Sequence, residues 1–258
     1  MSEAEEVLQL QDIRVTLSGL RILDGVSLSV PRGSVTGLIG PNGAGKTTVF
    51  NVISGFVKPE SGEVRYRGQA LKRIHAHKLT RMGISRTLQG VGLFGSLTAL
   101  ENVMQGASSR MRSNLFSQAF AMPWTDVQTK RAREHALAIM EELGILDEAG
   151  RYPSELPYPI QKRVALARAL VSDPEVLLLD EPAGGVSASD MAELGRLIRS
   201  WTPATTVLLV EHHMELVMGV CDLIWVLDAG KVIASGTPDH VRNNPAVLAA
   251  YLGEEGAA

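Results

Sequence analysis

One cysteine, Cys221, stands in 258 residues, so no disulfide framework can form, which fits a reducing compartment. No charge of one sign dominates. The net charge is −3 and the pI about 6.1, which leaves no electrostatic case for a nucleic-acid partner. No long hydrophobic run is present either. The longest, around Leu216–Leu227, is interrupted by Asp222 and falls short of the roughly 20 residues that a membrane span needs. The opening MSEAEEVLQL is acidic and lacks an apolar core, so a secretory leader is not expected. Internal repeats and low-complexity linkers are missing as well. Any link to a membrane must therefore pass through a partner.

What is present is the balance of a folded soluble protein, with 45% hydrophobic and 21% charged residues. The length suits one large domain, or a core with an inserted subdomain. Short strands are expected at Val7–Leu10, Ile13–Val15 and Val26–Val30, followed by the turn Pro31-Arg32-Gly33. Ser34–Ile39 is the next strand and runs through a glycine loop into a helix over Lys46–Ser54; Glu63–Arg67 is a further strand. From about Leu97 to Leu170 the apolar spacing turns helical: Ala136, Ile139, Met140 and Leu143 fall at i, i+3, i+4 and i+7, and Gly144 stops that helix. Ser108–Asp126 has no clear period and reads as a surface excursion. Buried strands return at Val176–Leu179 and Thr206–Val210, and Leu223–Leu227 with Lys231–Ala234 form a hairpin around Asp228-Ala229-Gly230. The pattern is an α/β core interrupted by a helical subdomain.

Gly40-Pro41-Asn42-Gly43-Ala44-Gly45-Lys46-Thr47 matches G-x-x-x-x-G-K-[ST] at every fixed position. Glycines let such a loop wrap a phosphate with its N–H groups, and the helix that follows adds the positive end of its dipole. Lys46 can reach the β- and γ-phosphates, the Thr47 hydroxyl can ligate Mg²⁺, and Thr48 extends the first helical turn. On the other side, the apolar strand Val176–Leu179 ends in Asp180 and Glu181. At a strand's C-terminal edge Asp180 can hold Mg²⁺ through its water, and Glu181, pointing differently, can polarise a water as general base. ATP with Mg²⁺ is the expected cofactor pair. No N-K-x-D motif that would read guanine is present.

These elements in this order resemble the ATP-binding subunits of ABC transporters. "SRTLQG" puts Gln89 where the family's Q-loop glutamine stands; "QKRVALARAL" looks like the helix after its signature; "VLLVEHHM" puts His212 at the switch histidine; and "EPAGGVSASD" occupies the D-loop with Ser187 in place of the usual Asp or Asn. "SELPYPIQKRVALARAL" and the tail "GTPDHVRNNPAVLAAYLGEE" are similar to the longer ATPase subunit of branched-chain amino-acid importers. The resemblance implies a P-loop NTPase fold: an ABC ATPase core with an antiparallel β subdomain, residues 1–258 forming one ATP-binding domain in which about 90–171 is an inserted helical subdomain. It implies that Gln89 touches metal or water and couples to a membrane subunit, and that His212 contacts the γ-phosphate and places the attacking water. It also implies the partners: a second ABC ATPase subunit in a heterodimer, two membrane-spanning permease subunits, and, indirectly, an external substrate-binding protein. The chain would sit at the cytoplasmic face of the cell membrane. Read alone, His213 is a bystander, His75 and His77 lie on a solvated helix face, and Cys221 fills core.

Besides Ser187, two further sites depart from the family pattern. The aromatic residue that relatives stack on adenine is replaced by Leu17. The signature is Leu156-Pro157-Tyr158-Pro159-Ile160, where Pro157 removes a hydroxyl and Pro159 an N–H from the group facing a partner's γ-phosphate. The alternatives are the ATPase of a lipid or lipopolysaccharide exporter, a catalytically impaired regulatory subunit, and a non-transport ABC ATPase. The last usually carries two cassettes or long coiled coils, and this chain has neither.

Overall fold

The computed structural model describes residues 5–71, 74–87, 90–107 and 123–255. They group into two compact units, one of Met1–Leu79 with Leu178–Ala258 and one of Thr80–Leu177. In chain order the elements are β1 (Glu6–Leu17), β2 (Leu20–Pro31), β3 (Val35–Ile39), α1 (Lys46–Ile53), β4 (Ser61–Tyr66), β5 (Gln69–Ala70), α2 (Ala76–Met82), β6 (Ile84–Arg86), α3 (Ala99–Ala107), α4 (Pro123–Glu142) and α5 (Tyr158–Leu170). They continue with β7 (Val176–Asp180), α6 (Ala188–Trp201), β8 (Thr206–Val210), α7 (Met214–Val220), β9 (Leu223–Asp228), β10 (Lys231–Gly236), α8 (Pro238–Arg242) and α9 (Pro245–Glu255).

In the first unit, β2-β1-β4-β5 form an antiparallel sheet, and β10-β9-β3-β8-β7 follow one another in a second sheet. In the second sheet β3 runs parallel to both β8 and β9. All five residues of β3, of β7 and of β8 are buried, which is why Val176–Leu179 and Val207–Val210 read as continuous apolar runs rather than as alternation, while β3 buries Thr36 and Gly37 among its apolar residues. The first two expected strands are a single strand, β1. Its register shifts between Leu10 and Ile13, and Asp12 takes a φ of 49°, so an irregularity breaks the period at Gln11-Asp12 without ending the strand. The expected hairpin forms, with Ala229 (φ 43°) and Gly230 (φ 76°) supplying the two left-handed residues that a tight antiparallel turn favours.

Asp222, the residue that interrupts the apolar run, ties elements together. Its carboxylate accepts from the Val35 N–H (2.8 Å) at the start of β3 and from Arg199 Nη1 (2.8 Å) on α6. Beside it, Cys221 is buried, and a Cβ added to Gly37 would lie 2.9 Å from its sulfur. Burial, reinforced by the Asp222 charge, pushes the Cys221 thiol up to about 12.

In the second unit α3 crosses α5 closely: a Cβ on Gly106 would stand 1.8 Å from the Arg168 carbonyl oxygen. Asn102, fully buried, fixes the segment before α3. Its amide donates to the carbonyls of Phe94 (3.1 Å), Leu97 (3.0 Å) and Thr98 (3.0 Å) and its oxygen accepts the Phe94 N–H (2.8 Å). Arg168 Nη1 donates to the Gly92 carbonyl (2.8 Å) in the same segment. On α4, Ala136 and Met140 are fully buried, as the spacing requires, and Gly144 (φ 65°) turns the chain beyond it. The expected excursion Ser108–Asp126 lies mostly outside the described residues, and its last four residues instead open α4. Pro123 suits a first helical position, and the polar start hides the helical period. Among the described residues, no helix is long and apolar enough to cross a membrane.

Candidate functional site

The loop after β3 is built by glycines that have separate reasons to be there. At Gly40 (φ 148°) a Cβ would fall 1.9 Å from the Leu227 carbonyl oxygen, and at Gly45 (φ 106°), the residue before α1, it would fall 2.7 Å from Leu23 Cδ2. The first is a close approach to the backbone of β9, and the second is a close approach to β2, through the Leu23 side chain and the Ile22 carbonyl (3.1 Å). Gly43 (φ 79°) has open space around its Cα and serves the turn alone. The Ala44 N–H donates to the Pro41 carbonyl (3.2 Å), and the Ala44 carbonyl accepts the Gly230 N–H (3.1 Å), so the loop is pinned to the β9–β10 turn. Lys46, buried at the start of α1, donates through Nζ to the carbonyls of Gly40 and Pro41, both at 2.7 Å. Asn42 and Gly43 are exposed, and Thr47 and Thr48 are half-buried in the first turn of α1. A cation therefore sits inside a tight turn at a helix start, an arrangement that favours a phosphate.

Asp180 ends β7 and is buried; Glu181 follows, half-buried, with a φ of 48°. That left-handed backbone costs about 1–3 kcal/mol for a non-glycine residue. It turns the chain abruptly, so the two neighbouring carboxylates leave the strand in different directions. The Glu181 N–H still donates to the Val210 carbonyl (2.9 Å), which ties this bend to the end of β8.

His212 follows β8 by two residues, and its side chain is 56% exposed. His213, read from the sequence as a bystander, is not one structurally. Its Nδ1 lies 2.7 Å from Glu211 Oε1, and its ring centroid lies 4.1 Å from that of His212. A carboxylate that only accepts requires Nδ1 of His213 to carry the proton. Glu211 itself had no sequence signal beyond standing next to a histidine. Ser187 caps α6, accepting from the Asp190 N–H (3.2 Å) and donating to the Asp190 carboxylate (2.6 Å). A serine in place of Asp or Asn there keeps the helix-capping role.

Leu17 closes β1 beside the tight turn Ser18-Gly19 and is 42% exposed; its register partner Leu20, which the sequence did not single out, is 68% exposed. Together they form an apolar end to the hairpin. His75 is exposed at the start of α2, as expected, and the side chain of His77 lies outside the described residues. Gln89 also lies outside the described residues.

In the second unit, Leu156 is buried and Pro157 is the residue before α5, with Tyr158 exposed at its first position and Pro159 at its second. The Gln161 N–H already donates to the Pro157 carbonyl (3.0 Å), and its side chain donates to the carbonyls of Pro153 (2.9 Å) and Leu156 (2.9 Å). Of the four N–H groups that a helix start usually offers, two are replaced by proline nitrogens. Tyr158 and the half-buried Ile160 supply the other two. The helix is intact, so the prolines change what its start can offer to another molecule and leave its fold alone.

Residues 23–184 match the family model described as ABC transporter, and residues 231–257 match one described as branched-chain amino acid ATP-binding cassette transporter. The chain is 40% identical over 253 residues, 97% of its own length and 99% of the relative's, to the high-affinity branched-chain amino acid transport ATP-binding protein LivG of Salmonella typhimurium. It is 38% identical, over 96% of its length and 98% of the relative's, to the corresponding protein BraF of Pseudomonas aeruginosa. Among solved structures it matches the ADP conformation of MJ1267, an ATP-binding cassette of an ABC transporter, with a TM-score of 0.81 and 29% identity, covering 96% of this chain and 99% of that one.

Proposed function

The chain belongs to the ABC transporter family of ATP-binding subunits, which hydrolyse ATP to power transport, and from that premise we propose that it energises an importer of branched-chain or other hydrophobic amino acids. The loop that buries Lys46 against its own carbonyls, in one unit with Asp180 and the bent Glu181, carries the hydrolysis reading. The match of residues 231–257 to the amino-acid cassette model favours this cargo over lipid or lipopolysaccharide export.

In this reading Gly40–Thr48 hold the triphosphate, with Lys46 neutralising the β- and γ-phosphates. The Thr47 hydroxyl and the buried Asp180 carboxylate are hard oxygen donors, which fits Mg²⁺, and Gln89 is the third residue assigned to the metal. Bound there, Mg²⁺ would neutralise charge on the β- and γ-oxygens. Glu181 accepts a proton from the attacking water, and His212 holds that water against the γ-phosphate. Leu17, with Leu20 beside it, covers the adenine. Leu156–Ile160 face the γ-phosphate of ATP held by a second ATPase subunit. That subunit and this chain sit at the cytoplasmic face of the membrane, and two membrane-spanning permease subunits and an external binding protein complete the machine. Residues 1–258 act as one ATP-binding domain with about 90–171 as its helical insert. Closure on ATP and opening after hydrolysis then drive alternating access in the permeases.

The two composite sites are unequal. The site built on Lys46 and Glu181 draws on the partner's signature and is active, whereas the site facing Pro159 lacks a donor. ATP turnover of the complex in proteoliposomes tests the reading. Leucine-loaded binding protein stimulates turnover, and a lipopolysaccharide acceptor in place of the binding protein does not; the opposite pattern overturns the importer assignment.

A further inference from the structure

Glu211, directly after β8, has a side chain with no exposed surface. A buried carboxylate is costly unless donors surround it. Here Oε1 accepts from the backbone N–H of His212 (2.9 Å) and of His213 (3.3 Å) and from His213 Nδ1 (2.7 Å). The other oxygen, Oε2, accepts from the N–H of Ala183 (3.0 Å), a buried residue two positions beyond Glu181. Burial pushes the Glu211 carboxyl up, but the hydrogen bonds from the His213 side chain and from the N–H groups of His212, Ala183 and His213 outweigh it and hold the group below its ordinary value. The group is therefore ionised at neutral pH.

β7 and β8 are neighbours in the sheet, and both proposed reacting residues leave from their ends. Glu181 stands at the bend after β7, and His212 stands on the turn after β8. One carboxylate oxygen holds the first turn and the other holds the second. A hydroxyl or a single carbonyl in this place could not grip both. Glu211 Oε1 and one ring nitrogen each of His212 and His213 also lie within 4.8 Å of one another, a set that could suit a metal ion. Oε1 is already shared among two backbone N–H groups and a ring N–H, however. An ion would displace these and leave buried donors without an acceptor, so holding the backbone is the better reading.

We propose that Glu211 is a positioning residue for hydrolysis, fixing the turn of Glu181 against the turn of His212, with His213 completing its carboxylate; this rests on the roles given above to Glu181 and His212. Glu211 does not touch ATP. It acts by keeping the base and the water-holding imidazole at one separation, and a small displacement of either is enough to slow the attack.

The test is steady-state ATP hydrolysis by the assembled transporter with substitutions in this chain. Glu211→Gln keeps the shape but loses the charge and turns one accepting oxygen into an NH2 that cannot accept, so one end of the grip is lost and the other is weakened. It lowers kcat about tenfold or more while KM for ATP moves less than about threefold. His213→Ala lowers kcat less, and His213→Asn, whose amide can donate from a similar place, recovers most of that loss. The double variant Glu211→Gln/His212→Ala loses clearly less than the product of the two single losses, because both act on one step. An unchanged kcat in Glu211→Gln, an effect confined to KM, or fully multiplicative losses each overturn the proposal. If Glu181→Gln and His212→Ala themselves leave kcat unchanged, the functional reading fails first, and the two failures are told apart by those single variants. Circular dichroism and melting temperature of Glu211→Gln near wild type confirm that folding is not the cause; a collapsed melt with kcat lost in proportion to the unfolded fraction contradicts a positioning role.

Discussion

Replacing Pro159 with alanine should improve this protein in one defined respect. Pro159 is the second residue of α5, and proline there has no N–H to offer. Alanine supplies that N–H and is the best helix former, so α5 keeps its start. The folded state loses only the stiffening that proline gives to the unfolded chain, about 0.4–1 kcal/mol. A backbone N–H donated to a charged phosphate contributes about 1.5–3 kcal/mol, which is about one to two decades in rate at the site concerned. The gain is visible only where it is not masked by the stronger site. Glu181→Gln in the same chain silences the site built on its own loop and leaves turnover to the partner's loop facing this chain's α5. In that background, Pro159→Ala should raise residual ATP hydrolysis by the reconstituted complex about tenfold or more. Unchanged residual turnover, with the complex intact and the melting temperature preserved, would refute the view that the missing donor impairs the second site.

Three further outcomes follow from the geometry. Gly106→Ala drives a methyl into the Arg168 carbonyl 1.8 Å away and should destabilise the chain by about 1–3 kcal/mol, read as a melting temperature lowered by about 2–4 °C per kcal/mol; an unchanged melt contradicts the close crossing of α3 and α5. Leu17→Phe adds a ring to an exposed apolar hairpin end and should tighten ATP binding by about 0.5–1.5 kcal/mol in equilibrium titration, with GTP gaining similarly; identical dissociation constants remove Leu17 from the base site. Cys221, with its thiol pushed up to about 12, should stay unreacted with a water-soluble disulfide reagent at pH 8 until the protein is denatured; rapid labelling of the native chain contradicts its burial.

The phosphate loop was legible because its glycines answer local needs: a left-handed turn at Gly43, a close approach to the Leu227 carbonyl at Gly40, and a left-handed backbone beside Leu23 at Gly45 all favour glycine. Two buried strands were legible because β7 and β8 are buried along their whole length and carry four consecutive apolar residues each, Val176–Leu179 and Val207–Val210. What escaped depends on contacts distant in sequence. The single β1 was read as two strands because an irregularity at Asp12 breaks the period. Leu20 is informative only once the hairpin places it opposite Leu17. Asn102 looks like any polar helix residue until the chain from Phe94 to Thr98 folds over it. Glu211 and His213 gain meaning only when β7 and β8 lie side by side and bring Ala183 within 3.0 Å of the carboxylate. No local period encodes such a contact, so sequence reading has nothing to find there.

The central claim is that ATP hydrolysis on Lys46 and Glu181 moves an amino acid across a membrane. Uptake of radiolabelled leucine into proteoliposomes bearing the complete complex, with ATP and binding protein supplied on their proper sides, measures it directly. Wild type should accumulate leucine, and Glu181→Gln should reduce accumulation to near background while ATP still binds. Undiminished uptake in Glu181→Gln, or ATP hydrolysis by the wild-type complex with no leucine movement, would contradict the account.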